Sequence, residues 1–123
     1  MHDMHDDRRA LGAAGEALAA RWYEAAGYAV VDRNWRCRDG ELDLVAAAAG
    51  VVVFCEVKTR RSDRFGAPFE AVTVTKQRRL RGLAARWLAE HPAARASQVR
   101  FDVASVRVIA AAPPAVDVIE AAF

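Results

Sequence analysis

Apolar positions along this chain follow two rhythms. Leu11, Ala14, Leu18, Trp22 and Ala25 recur every three or four residues and predict a helix from about Arg9 to Ala26, ended by Gly27. Tyr28 to Asp32, Glu41 to Ala46 and Val51 to Lys58 read as three strands, the last two joined by a short alanine-glycine turn. Helical spacing then returns. Thr75 is a good N-cap for a helix whose Leu80, Leu83, Ala84, Trp87 and Leu88 form one stripe, closed by His91-Pro92. Gln98 to Ile109 alternates as a strand, with Val99, Phe101 and Val103 on one face, and Val116 to Ile119 adds a last short one. Residues 1–8 are polar, lack periodicity and read as a disordered tail, which leaves 9–123 as one domain.

The order helix, three strands, helix, strand predicts an α/β fold. The first three strands form an antiparallel meander, and the strand after the second helix pairs in parallel with the third through a crossover. The result is a mixed β-sheet flanked by helices on both sides. A chain of 123 residues, 54% of them hydrophobic, has material for one core and no second domain.

Composition narrows the setting. The longest weakly polar run, Leu44 to Cys55, is too short to span a bilayer, and the first residues include aspartates instead of a signal peptide, so a soluble, cytoplasmic protein is expected. Cys37 and Cys55 lack metal-site spacing and are expected as reduced thiols. The net charge of +2 hides an asymmetry. Between residues 57 and 86, nine basic residues face only Asp63 and Glu70, the footprint of a surface that grips a phosphate backbone. Arg60, Arg61 and Arg64, in an arginine-rich loop from Thr59 to Pro68, are candidate nucleic-acid contacts. So are Lys76, Arg78, Arg79 and Arg81, near a helix N-terminus whose dipole also favours anions. Arg36 and Arg38 flank Trp35 in a segment read as a loop; the tryptophan either stacks on a base or, more commonly, pins that loop to the core.

The sharpest chemistry lies in Gly40-Glu41-Leu42-Asp43 and, twelve residues beyond the aspartate, Glu56-Val57-Lys58. Two-residue spacing on strands puts Glu41 with Asp43, and Glu56 with Lys58, on shared faces that a hairpin brings together, while Leu42, Leu44, Cys55 and Val57 point into a core. Magnesium prefers oxygen ligands and takes only one or two protein carboxylates, which Asp43 and Glu56 can supply with help from the Val57 carbonyl. Manganese is the expected substitute. Lys58 adds a compact charge that can orient a water or stabilise a phosphodiester transition state. Sixteen of the eighteen basic residues are arginine, so a lysine at 58 departs from the chain's habit. The bland alternative is a surface Glu56/Lys58 ion pair contributing under ~1 kcal/mol.

These residues, with Gly15-Glu16, Asn34-Trp35-Arg36, the rest of the run from Phe54 to Arg60, Phe65-Gly66, Ala71-Val72, Lys76 and Arg100-Phe101-Asp102-Val103, resemble the YraN family of uncharacterised bacterial proteins. That family is regarded as predicted endonucleases, similar in pattern to archaeal Holliday junction resolvases and the wider restriction-endonuclease-like superfamily. The resemblance runs from about Leu11 to Phe123. It implies a restriction-endonuclease-like core, Asp43 and Glu56 as metal ligands, Lys58 as the charge-stabilising lysine and Glu16 as a further acid from the first helix. By periodicity alone Glu16 lies off the apolar stripe, either solvated or aimed at the sheet edge. Leu42 stands where a proline often precedes the aspartate, and Cys55 where Val or Ile is usual.

The leading expectation is a magnesium-dependent endodeoxyribonuclease acting on branched or structured DNA, with Glu41 or Glu16 recruiting a second ion. A homodimer would suit a symmetric junction. The alternatives are a non-catalytic nucleic-acid-binding module that partners DNA processing, and carboxylates that only support the fold.

Overall fold

A computed structural model describes residues 4–61, 72–94 and 96–123. The order is α1 (Met4–Ala25), β1 (Ala29–Cys37), β2 (Gly40–Ala48), β3 (Val51–Arg60), α2 (Val74–Glu90), β4 (Gln98–Arg107) and β5 (Ala115–Ile119). One sheet holds all five strands in the order β1-β2-β3-β4-β5, antiparallel except for β3 and β4, which run parallel across the α2 crossover. The meander and the parallel pair are as the periodicity predicts. Among the described residues no helix is long and apolar enough to cross a membrane.

Strand alternation gives the sheet two apolar faces, and each helix covers one. On the α2 side Leu80, Leu83, Ala84 and Trp87 pack on Leu42, Val45, Val52, Phe54, Phe101 and Val103. Leu88, predicted for this core, is partly buried against it. Phe54 meets Trp87 edge-on and stacks on Phe101, with centroids 5.7 Å apart in both pairs. The Trp87 indole N–H donates to Asp32 Oδ2 at 2.8 Å, tying α2 to β1. On the α1 side Ala19, Ala20 and Tyr23 pack on Leu44, Ala46, Val53, Cys55, Ala104 and Val106.

Several boundaries differ from the sequence reading, among them the end of β2 at Ala48 instead of Ala46 and of β4 at Arg107 instead of Ile109. α1 starts at Met4, so Met4 to Arg8 belong to the helix and not to a disordered tail; an acidic residue near its start, Asp7, suits the dipole there, a signal apolar periodicity does not carry. β1 continues through Cys37, so Arg36 and Trp35 lie on a strand, with Trp35 packed against the α2-side core. β3 runs to Arg60, so Thr59 and Arg60 are strand and not loop. The N-cap of α2 is Thr73, whose side chain accepts from the Lys76 N–H at 3.2 Å, and Thr75 lies inside the first turn. Arg64 and the Phe65-Gly66 pair lie outside the described residues.

The buried face of α1 is also rotated from the predicted stripe. Ala14 and Ala25 are exposed, while Gly15, Ala19 and Tyr23 face the sheet. A Cβ on Gly15 would fall 1.9 Å from Thr59 Oγ1, so the helix backbone sits directly against β3. Close approach selects small residues, which score weakly in any hydrophobic pattern. Glu16, next to Gly15 in the chain, is thereby carried to the end of the sheet.

Arg100-Phe101-Asp102 serves the fold. Asp102 is fully buried and accepts from the Tyr23 hydroxyl (2.6 Å), Arg100 Nε (2.9 Å) and the Ala121 N–H (3.0 Å). The buried carboxylate thereby joins α1, β4 and the C-terminal segment.

Candidate active site

The site is built at a fork in the sheet. The β1–β2 ladder runs on to Cys37 and Gly40, but the β2–β3 ladder ends at Leu44 and Cys55, one residue short of a pairing between Asp43 and Glu56. Two leucines mark the departure. Leu42 belongs to the α2-side core and Leu44 to the α1-side core, although strand alternation would put them together. Side-chain alternation therefore slips at Asp43. In β1, Asn34 lies between the partners of Leu42 and Leu44 and takes a left-handed φ of 50°, a conformation asparagine tolerates better than most residues.

The slip corrects the expected arrangement of the acids. Leu42 does not share a core with Leu44, Cys55 and Val57, and Glu41 does not share a face with Glu56. Glu41 lines a cleft of about 670 Å³ on the α1 side, together with Arg9, Glu16, Asn34 and Arg36. Glu56 faces α2, where its Oε1 lies 2.6 Å from Lys76 Nζ. Asp43 stands between them at the fork, and its Oδ2 accepts the Val57 N–H at 2.9 Å, replacing a ladder partner that the diverging strand withdraws. The carboxylates thus straddle the sheet end.

Electrostatics reflect this crowding. Burial raises the Asp43 pKa most, Glu56 adds to it, and Glu16 and Glu41 contribute less; the Val57 N–H pulls the other way, and the carboxyl is pushed up to about 7. Glu16 is also raised, first by burial and then by Glu41 and Glu56, against a lowering hydrogen bond from Asn34 and the charge of Arg36. Glu16 is half-buried and lines the cleft beside Asn34, Arg36 and Glu41. A thiol behind the site is inert, because burial pushes Cys55 up to about 12, and both Cys55 and Cys37 are free.

Among the described residues no three His, Cys, Asp or Glu side chains are gathered closely enough to hold a metal by themselves. Two carboxylates suffice for magnesium, whose other ligands are waters and substrate oxygens. Asp43 and Glu56 offer hard oxygen donors, and a dication between them would relieve the repulsion that helps raise Asp43. The residues present therefore fit the ion.

The basic candidates divide by location. Arg78 and Arg79 are exposed on α2 near Lys76, and Arg36, paired with Glu41, and Arg38 are exposed around the β1–β2 turn. Arg60 ends β3 and Arg61 follows it, exposed. Arg81 instead lies over the rings of Phe101 and Phe123, at 4.8 and 5.6 Å from their centroids. Arg9 and Asn34 also line the α1-side cleft, where only a tertiary contact, and no local spacing, brings them in.

Comparison with known proteins points to one family. Residues 15–106 match the family described as "Uncharacterised protein family UPF0102". A "UPF0102 protein" of Beutenbergia cavernae is 63% identical over 97 residues, covering 79% of this chain and 81% of the relative. One from Nocardia farcinica is 53% identical over 117 residues, with 95% and 91% covered. A third, from Frankia alni, is 54% identical over 114 residues, with 93% and 94% covered.

Proposed function

From the premise that the chain belongs to the uncharacterised family UPF0102, the YraN family, we propose that it is a magnesium-dependent nuclease hydrolysing phosphodiester bonds in DNA. The observation that carries this reading is the meeting of Asp43 and Glu56 at the β2–β3 fork, where burial and carboxylate repulsion hold the Asp43 pKa at about 7. A carboxylate shifted this far by burial and a like-charged neighbour is characteristic of functional sites. The α/β core with its parallel β3–β4 pair also agrees with a restriction-endonuclease-like architecture, and the resolvase resemblance points to branched or structured DNA and to a homodimer on a symmetric junction.

Asp43 and Glu56, with the Val57 carbonyl, would hold the ion. Magnesium bound there supplies Lewis-acid polarisation of the scissile phosphate and a template for in-line attack, with manganese as the expected substitute. Lys58, two residues beyond Glu56 on β3, orients the attacking water and offsets charge developing on the phosphate. Glu16 and Glu41, on the α1 side of the fork, would recruit a second ion, Glu41 on release from Arg36. Arg36, Arg38, Arg60, Arg61, Arg78 and Arg79 grip backbone phosphates on either side, with Arg64 as a further candidate. Such contacts position the nucleic acid without reading its sequence. A binding-only module would share the basic surface, with the Lys76 ammonium alone offsetting Glu56.

The test is cleavage of end-labelled four-way junction, flap, duplex and single-stranded DNA by wild type and Glu56→Ala, with magnesium, manganese or chelator, and gel shifts in parallel. Metal-dependent cutting that Glu56→Ala loses while still binding DNA is the expected result. Binding without cutting under every metal condition would replace the nuclease with the binding module.

A further inference from the structure

The first turn of α2 carries a cation where a helix tolerates one least. Lys76 follows the Thr73 N-cap by three residues, and that turn contains no acidic residue to offset it. The positive end of the helix dipole lies there too, so the helix itself disfavours the ammonium. Compensation comes from β3. Lys76 Nζ is 2.6 Å from Glu56 Oε1, and the Glu56 side chain is only 11% exposed while that of Lys76 is 45% exposed. The Thr73 cap on the Lys76 N–H fixes the base of the side chain, leaving its four-carbon stem free to swing.

This pairing differs from the surface Glu56/Lys58 pair that spacing alone suggests. The partner comes from another element, and it sits on a carboxylate proposed to hold metal. Its type also matters. In a chain whose other basic residues are arginine apart from Lys58, position 76 has a compact point charge instead of a planar fork that would grip both carboxylate oxygens and release them less readily.

We propose that Lys76 is a built-in counter-ion for Glu56 that competes with the divalent metal. In the metal-free protein the ammonium neutralises Glu56. When a dication arrives, Lys76 yields the carboxylate and turns outward, where it joins Arg78 and Arg79 on the DNA-facing surface. Lys76 is thus a positioning residue that links loading of the metal to readiness for the polyanion. The inference rests on the nuclease reading.

Isothermal titration of manganese into the full chain tests it without an activity assay, using wild type, Lys76→Met, Lys76→Arg and Glu56→Gln. Lys76→Met should bind manganese up to about fivefold more tightly than wild type, the range set by a partly exposed ion pair. Lys76→Arg should bind it more weakly, and Glu56→Gln should lose most of the affinity. Circular dichroism establishes that each variant is folded. Unchanged or weaker binding by folded Lys76→Met, with wild type still binding, overturns the counter-ion role and leaves the metal site standing. Absence of binding to wild type and Lys76→Met alike overturns the metal reading itself.

Discussion

Asp43 loses solvation on folding and gains carboxylate neighbours, so its folded pKa is higher than its unfolded one. The native state therefore holds more protons than the unfolded state between about pH 4 and pH 7, and the stability linked to this group falls as pH rises through that window. In chelator, the melting temperature should drop across that range. Asp43→Asn should flatten the drop and stabilise the protein at neutral pH, and saturating magnesium should flatten it in wild type. Melting curves of wild type and Asp43→Asn at stepped pH decide the matter; a difference between them that does not grow from pH 4 to 7 contradicts the assigned burial and repulsion. Cys55 offers a second residue-scale expectation. Buried, with its pKa raised, it should react with a thiol reagent far more slowly than half-buried Cys37, and comparing Cys37→Ser with Cys55→Ser separates the two rates.

At the scale of elements, α1 depends on a contact that admits no side chain. Gly15→Ala drives a methyl into Thr59, and relief requires the helix to lift from β3. Overpacking of this kind typically costs about 1–3 kcal/mol, measurable by urea unfolding. Because lifting α1 also displaces Glu16, the proposed nuclease activity should fall further than stability explains, and Thr59→Ser in the same chain should restore little, since the hydroxyl remains. The strands and α2 were legible in the sequence because β-branched alternation and a leucine-tryptophan stripe are strong local signals. The α1 contact was not: glycine and alanine pack closely without looking hydrophobic, and the periodicity follows Leu18 and Trp22 instead, which are only partly buried. Of the candidate site, the closeness of Asp43 and Glu56 could be read from spacing. Their placement across the sheet end could not, since it depends on where one ladder stops while its neighbour continues. The Lys76 contact with Glu56 was hidden for a similar reason, being made between elements far apart in sequence.

For the whole molecule, Asp102 joins three parts of the chain while carrying a fully buried charge. Asp102→Ala leaves Arg100 and Tyr23 facing a void and should cost about 3–5 kcal/mol, the usual penalty for removing one partner of a buried pair; denaturant unfolding measures it, and a loss under ~1 kcal/mol would assign Asp102 a lesser role. The proposed nucleic-acid surface is tested at this scale too. Replacing both Arg78 and Arg79 with alanine should weaken DNA binding equally across sequences and lower the salt slope by about 2, one for each phosphate no longer neutralised. Finally, β1 forms one margin of the sheet. An intact margin is a template on which another chain can add a strand, the first step of many aggregates. Here the register shift between Val30 and Asp32 and the left-handed Asn34 break the row of outward N–H and C=O groups twice within nine residues. Interruptions of this kind blunt an edge as a template for another chain, so the β1 margin is a poor site for strand addition.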